Sequence, residues 1–186
     1  MGGRRAELSR LQTVAHASWA DAVPPAAAAD ATAALEQGQV LFLPNLPFLI
    51  SPDEHAIFSP SILSSSKNAS FDPATGRVGG TTLAGDEQAH LSRVMGRFSD
   101  AALTLVNGLF PRYRDQLLRA RASYRPAEIA GRHTSWRKDD TRLHIDSFPA
   151  SPVQGRRILR VFSNVNPKDR VRSWRANIPA VRTATG

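Results

Sequence analysis

Apolar residues recur along this chain with two different spacings. The most regular pattern runs through Leu91, Val94, Met95, Phe98, Ala102, Leu105 and Leu109. Spacings of three and four place these side chains on one face of a helix. Gly108 and Pro111 mark its end. A shorter helical pattern follows around Tyr113 to Ala120. Val40 to Leu43 is a short apolar run stopped by Pro44, which predicts a strand. The alanines after Pro24 and Pro25 suit a helix leading to that strand. Ser51 and Glu54 have the spacing of a capping box for a short helix. Residues 64–85 are rich in Ser, Asn, Gly and Thr. With Asp72, Pro73 and Gly76 as turn residues, they predict a hairpin or an ordered loop.

The C-terminal part alternates with period two. Residues 122–129, 141–146 and 158–166 are predicted strands separated by Pro- or Gly-containing loops. In the last of these, Leu159, Val161, Ser163 and Val165 share one face. Ile158, Arg160, Phe162 and Asn164 share the other. Polar groups on both faces suit a sheet whose inner face lines a site. Helical and strand patterns that do not alternate regularly make the expected fold class α+β. There are no internal repeats.

Composition narrows the chemistry. The 186 residues include no cysteine, which excludes disulfides, thiolate metal sites and a cysteine nucleophile. Any metal must then be held by histidine and carboxylate, which suits iron(II), manganese(II) or zinc. The net charge is +8, and it is uneven. Residues 1–110 hold 7 basic and 10 acidic side chains, whereas residues 111–186 hold 17 and 6. The second part is therefore at +11, which suggests a polyanionic partner such as nucleic acid, acidic lipid headgroups or phosphorylated sugars. A plain solvated basic face is the alternative. No apolar run approaches the ~18 residues a membrane-spanning helix needs. The N-terminus has no signal-peptide pattern, so a cytoplasmic protein is expected.

His144 and Asp146 stand two apart on a predicted strand and so project from the same face. Side by side, an imidazole nitrogen and a carboxylate oxygen can take two adjacent positions on a divalent metal. A second histidine would complete the facial triad of non-haem iron oxygenases. On spacing alone, a surface histidine beside a strand-ending aspartate is the commoner reading. No HExxH pair or GxSxG elbow points to a zinc or serine hydrolase. No helix-turn-helix, zinc-finger or RNP-like pattern points to nucleic-acid recognition.

The surrounding residues change those odds. The run TSWRKDDTRLHIDSFPASP at 134–152, followed by GRRILRVFSNVNP at 155–167, resembles the signature block of the Kdo hydroxylases. KNASFDPATGR at 67–77 and YRPAEI at 124–129 resemble the same family, and the likeness extends over residues 35–175. Residues 1–34 are then a low-complexity leader. The resemblance implies a double-stranded β-helix, jelly-roll-like, with N-terminal helices. It implies iron(II), 2-oxoglutarate and O2 as reactants, and hydroxylation at C3 of Kdo on Kdo-lipid A to give Ko. His144 and Asp146 match the family's first two metal ligands. Arg137, Lys138, Arg142 and Arg160 crowd the same region and are candidates to grip the Kdo carboxylate or lipid A phosphates. Arg156 and Arg157 belong to the same basic crowd. Trp136 and Trp174 are expected to be packing anchors, and Asp139 and Asp140 to pair with arginines. Ser163, Asn164 and Asn166 lie near the site if their strand neighbours His144. The implied partner is a Kdo-lipid A precursor rather than nucleic acid. It is met in the cytoplasm, with the cytoplasmic face of the inner membrane as the place of peripheral contact.

The likeness ends at Arg175. Residues 176–186 read as an unrelated tail, and no histidine follows His144. His133 is the nearest other histidine and suits an exposed loop. The expectation is a truncated or frameshifted product lacking its last strands and third metal ligand, with little or no hydroxylase activity. A non-catalytic basic fragment that binds acidic lipid is the competing reading.

Overall fold

The computed structural model describes residues 11–126 and 153–166. They fall into two compact units. One comprises residues 11–47 and 100–119. The other comprises residues 48–99, 120–126 and 153–166. No described helix is long and apolar enough to cross a membrane.

The first unit opens with a strand the sequence pattern did not predict. Strand β1 (Leu11–Thr13) pairs in parallel with β2 (Val40–Phe42). Three residues, two of them polar, are too few to show a period. Between them lies helix α1 (Pro25–Glu36). Pro25 occupies the first turn, where its missing N–H is harmless. Ala28, Ala31 and Ala34 form the buried stripe, so the alanine-rich stretch is packed structure. Trp19 Nε1 donates to the Pro47 carbonyl at 3.0 Å and ties the chain before α1 to the chain after β2.

The second unit is built on an antiparallel sheet of order β4-β3-β5, formed by β3 (Ala69–Asp72), β4 (Arg77–Gly79) and β5 (Ala122–Tyr124). The predicted hairpin is present, with Asp72 facing Arg77 across a four-residue turn. Asp72 Oδ1 accepts from the Ala74 N–H at 3.0 Å, and Gly76 takes φ +68°, where L-residues are strained. Those backbone bonds, joined by Arg121 at 3.0 Å, hold the Asp72 carboxyl below its usual pKa. Strand β5 is shorter than the predicted 122–129. Pro126 cannot donate to a ladder, and residues 127–129 lie outside the described residues.

Helix α2 (Gly85–Leu109) begins six residues before the predicted Leu91. The apolar period starts only at Leu91. The first turn is set by charge instead: Asp86 and Glu87 complement the helix N-terminus. Leu91 is fully buried, with Val94, Met95, Leu105, Val106 and Leu109 along the same stripe. The first part of α2 is fastened to the hairpin. Gln88 Nε2 reaches the Val78 carbonyl at 3.1 Å and Ser92 Oγ the Gly76 carbonyl at 2.6 Å. Gly96 leaves room for Phe71, whose Cζ would lie 3.3 Å from any Cβ there. In the last part of α2, Gly108 makes the same allowance for Val23.

After α2, the predicted helix Tyr113 to Ala120 is only a 3-10 turn, Pro111–Gln116. Tyr113 stacks on Phe110 at 5.4 Å and bonds Glu36. Beyond it Leu118 is exposed, so no apolar face remains to hold further helical turns.

Candidate functional site

The described part of the candidate site is residues 153–166. It opens with a two-residue turn. Arg156 N–H donates to the Val153 carbonyl at 2.9 Å, and both central residues have positive φ, 51° at Gln154 and 77° at Gly155. Two consecutive left-handed residues are the signature of a type I′ turn, whose twist matches antiparallel arms.

The predicted strand 158–166 carries no β-ladder in the described structure. A strand needs a partner for its N–H and C=O groups, and the expected neighbour at 141–146 lies outside the described residues. The alternation survives as burial over residues 160–165 only, since Leu159, expected on the side of Val161, is exposed like Ile158 and Arg160. Val161, Ser163 and Val165 are partly buried, whereas Ile158, Arg160, Phe162 and Asn164 are exposed. Arg160 thus shares the exposed face with Ile158 and Phe162 and projects away from the Val161–Val165 side. Arg156 and Arg157, exposed beside the turn, extend the basic surface. Asn164 Oδ1 accepts from the Asn166 N–H at 3.2 Å, a local side-chain to backbone bond.

His144 and Asp146, the expected metal ligands, lie outside the described residues, as do Arg137, Lys138, Arg142 and His133. Among the described residues no group of three His, Cys, Asp or Glu side chains is placed to hold a metal ion. Of the described histidines, His16 has its Nε2 buried with no hydrogen-bond partner among the described residues.

The best-built polar cluster lies elsewhere and was not foreseen. Residues 52–57 form a 3-10 helix in which Glu54 Oε2 accepts from the Ser51 N–H at 2.9 Å, the reciprocal half of the predicted capping box. Arg97, from α2, donates through Nη2 to both Glu54 oxygens at 2.6 Å and through Nη1 to the Leu49 carbonyl at 3.0 Å. Its guanidinium lies 4.7 Å from the centre of the Phe48 ring, which meets Phe98 edge-on at 5.2 Å. Desolvation pushes the Glu54 carboxyl up. The Ser51 N–H and the Arg97 charge outweigh it, and the net pKa is below the usual value. This cluster clamps the 48–57 segment to α2. The signal was in the sequence as Glu54 and Arg97, but a contact 43 residues apart cannot be read from local spacing.

Comparison with known proteins decides the family. The sequence model for 3-deoxy-D-manno-oct-2-ulosonic acid (Kdo) hydroxylase matches residues 18–184. The chain belongs to the Kdo hydroxylase family. Among solved structures it is similar to the Kdo hydroxylase KdoO, a non-haem iron(II), 2-oxoglutarate-dependent dioxygenase. The cobalt(II) complex of KdoO gives a TM-score of 0.82 at 40% identity over 86% of this chain and 54% of that one. The complex with 2-oxoglutarate and Fe(III) gives 0.80 at 39% identity over 85% and 53%. The apo form gives 0.80 at 40% over the same shares. The chain thus spans about half the length of these Kdo hydroxylases. No curated protein sequence matches it. The likeness establishes a mixed α/β fold of the kind found in this dioxygenase.

Proposed function

We propose that this protein is an iron(II)- and 2-oxoglutarate-dependent Kdo hydroxylase that adds a hydroxyl at C3 of Kdo in Kdo-lipid A, giving Ko, on a jelly-roll-like double-stranded β-helix. The observation that carries this is the match to KdoO, at 40% identity and a TM-score of 0.82 over 86% of the chain. KdoO has been solved with 2-oxoglutarate and iron. No finding supports the expectation of an inactive product, or that of a purely lipid-binding fragment.

In this reading, the His144 imidazole and the Asp146 carboxylate supply two metal ligands of the kind iron(II) prefers. Bound iron, with 2-oxoglutarate and O2, supplies the oxidising chemistry. The protein's share is to hold the sugar. Arg137, Lys138, Arg142 and Arg160 are assigned to the anionic groups of the substrate, where guanidinium forks suit carboxylate and phosphate oxygens. The exposed placement of Arg160, beside Arg156 and Arg157, supports a surface role toward lipid A phosphates.

The same basic region supports a cytoplasmic protein that meets the cytoplasmic face of the inner membrane, with anionic lipid rather than nucleic acid as its polyanion. Such attraction is screened by salt. Co-sedimentation with anionic vesicles should be strong at low ionic strength and weak at high. Failure to bind at low salt removes the membrane part of the reading.

The test of the activity is 2-oxoglutarate consumption with iron(II), ascorbate and Kdo-lipid A, with hydroxylated sugar as product. His144→Ala and Asp146→Ala are each expected to lower turnover by more than about 100-fold, since loss of mere supporting contacts already costs about 10–100-fold. Absence of turnover in the parent chain, or undiminished turnover in both variants, sinks the assignment.

A further inference from the structure

Residues 48–58 carry no β-ladder in the described structure. Backbone bonds of this segment run to carbonyls within it. Glu54 N–H donates to the Ser51 carbonyl at 3.0 Å, and Phe58 N–H to the His55 carbonyl at 3.1 Å. Bonds of that kind survive when a segment lifts away, so they do not fasten it to its surroundings. The chain is pinned just beyond the segment. Thr82 N–H and Thr81 Oγ1 donate to the Ile62 carbonyl at 2.8 and 2.7 Å, and Leu63 bridges Thr81.

The segment itself is held by side chains. Arg97 of α2 gathers three points of it: both Glu54 oxygens at 2.6 Å, the Leu49 carbonyl at 3.0 Å and the Phe48 ring at 4.7 Å. The apolar hold is narrower. Phe48 and Ile57 are buried, and Phe58 meets Tyr124 of β5 edge-on at 4.8 Å. Leu49 is 72% exposed, and Asp53, His55 and Ala56 face solvent. The hairpin and the first part of α2 bury Phe71, Val78, Leu91, Val94 and Met95. Segments with few buried apolar side chains open at a lower free energy than the core.

We infer that residues 48–58 are a strap latched by Arg97, which opens as a unit of its own while the hairpin and α2 stay folded. Opening parts Glu54 from Arg97 and the Phe48 ring from Phe98. Arginine suits the latch because its planar fork reaches a carboxylate and a carbonyl together while its face lies on a ring, whereas a lysine ammonium is a single point of charge. The inference is independent of the proposed hydroxylation, so its test reads no turnover.

The test is amide exchange of the 186-residue chain at rising urea concentrations below the unfolding transition. The Glu54 and Phe58 amides should exchange faster than those of β3 and β4 by roughly tenfold or more. Their rates should depend little on urea, since a small opening exposes little surface. Arg97→Gln should speed the same two amides by roughly 10–100-fold, as expected for losing hydrogen bonds to a charged group. Arg97→Lys, which keeps the charge, should fall between parent and Arg97→Gln. Equal protection and equal urea dependence in the strap and the hairpin overturn the inference, and this reading needs no variant. Unchanged Glu54 and Phe58 rates in Arg97→Gln overturn it too. Full protection in Arg97→Lys overturns the latch, because charge alone would then suffice.

Discussion

The two small sheets of this protein solve the same problem to different degrees. The antiparallel sheet β4-β3-β5 turns Ala69, Phe71 and Val78 inward, all buried, and its hairpin is fastened to α2 by side-chain bonds to two of its carbonyls. In the parallel pair β1–β2, Leu11, Val40 and Phe42 on one face remain exposed. Composition does not separate them, since both are short and mix apolar with polar residues. What separates them is whether a helix stripe arrives from elsewhere in the chain with room to seat. Gly96 supplies that room under Phe71. A sheet face is thus stabilised by its partner rather than by its own residues.

The contrast can be broken most severely from the covered side. Phe71→Ala empties a buried ring site against α2 and should cost about 3–5 kcal/mol in urea unfolding. A loss below about 1 kcal/mol would mean that the hairpin is not part of the cooperative core. Gly80→Ala comes next. Gly80 has φ +76°, and a Cβ there would stand 2.5 Å from the Asn68 carbonyl oxygen, so strain of about 2–3 kcal/mol is expected. The same change at Gly76, where nothing lies within 4 Å, should cost less because only the positive φ opposes it.

Glu54→Gln is expected to cost about 1–2 kcal/mol at neutral pH, less than a fully buried pair because Arg97 is partly solvated. Its pH signature has a definite sign. The folded pKa of Glu54 is lowered, so its stabilisation is present above the unfolded value of about 4.3 and fades as pH falls through the folded value. The parent chain should therefore lose more stability than Glu54→Gln on acidification below that point, and identical profiles would show that the ion pair contributes nothing. The smallest effect belongs to the open face. Phe42→Ser should change stability by no more than about 0.5 kcal/mol, as surface substitutions do. A loss as large as that of Phe71→Ala would show that the face is already covered.

Much of the fold was legible where a pattern is local. The α2 stripe from Leu91 to Leu109, the Ser51–Glu54 spacing and the Asp72–Gly76 turn each depend on neighbours within a few residues, and each is present. What escaped depends on distance or on brevity. Strand β1 is too short to show a period, and its partner lies 29 positions away. The Arg97 clamp joins residues 43 apart. The helix expected through Ala120 stops at Gln116, and Leu118 beyond it has the right residue type but is exposed. For the site, the family was legible from residues 134–167, and the match over 18–184 bears it out. The burial of Val161 and Val165 against the exposure of Arg160 follows the predicted alternation. The His144–Asp146 geometry lies outside the described residues.

The turn at Gln154 and Gly155 makes the tract after it sensitive to chain length. A two-residue reversal holds the zigzag that follows in a fixed phase relative to the turn. One extra residue inserted there would invert that phase. Arg160 and Phe162 would swing to the side now held by Val161 and Val165, and a charged guanidinium would replace a methyl group against the protein interior. Substitutions in this tract act one side chain at a time, but an insertion or deletion of a single codon at 154–155 would exchange its two sides at once. Selection on this stretch should therefore tolerate changes of residue type at the reversal more readily than changes in the number of residues.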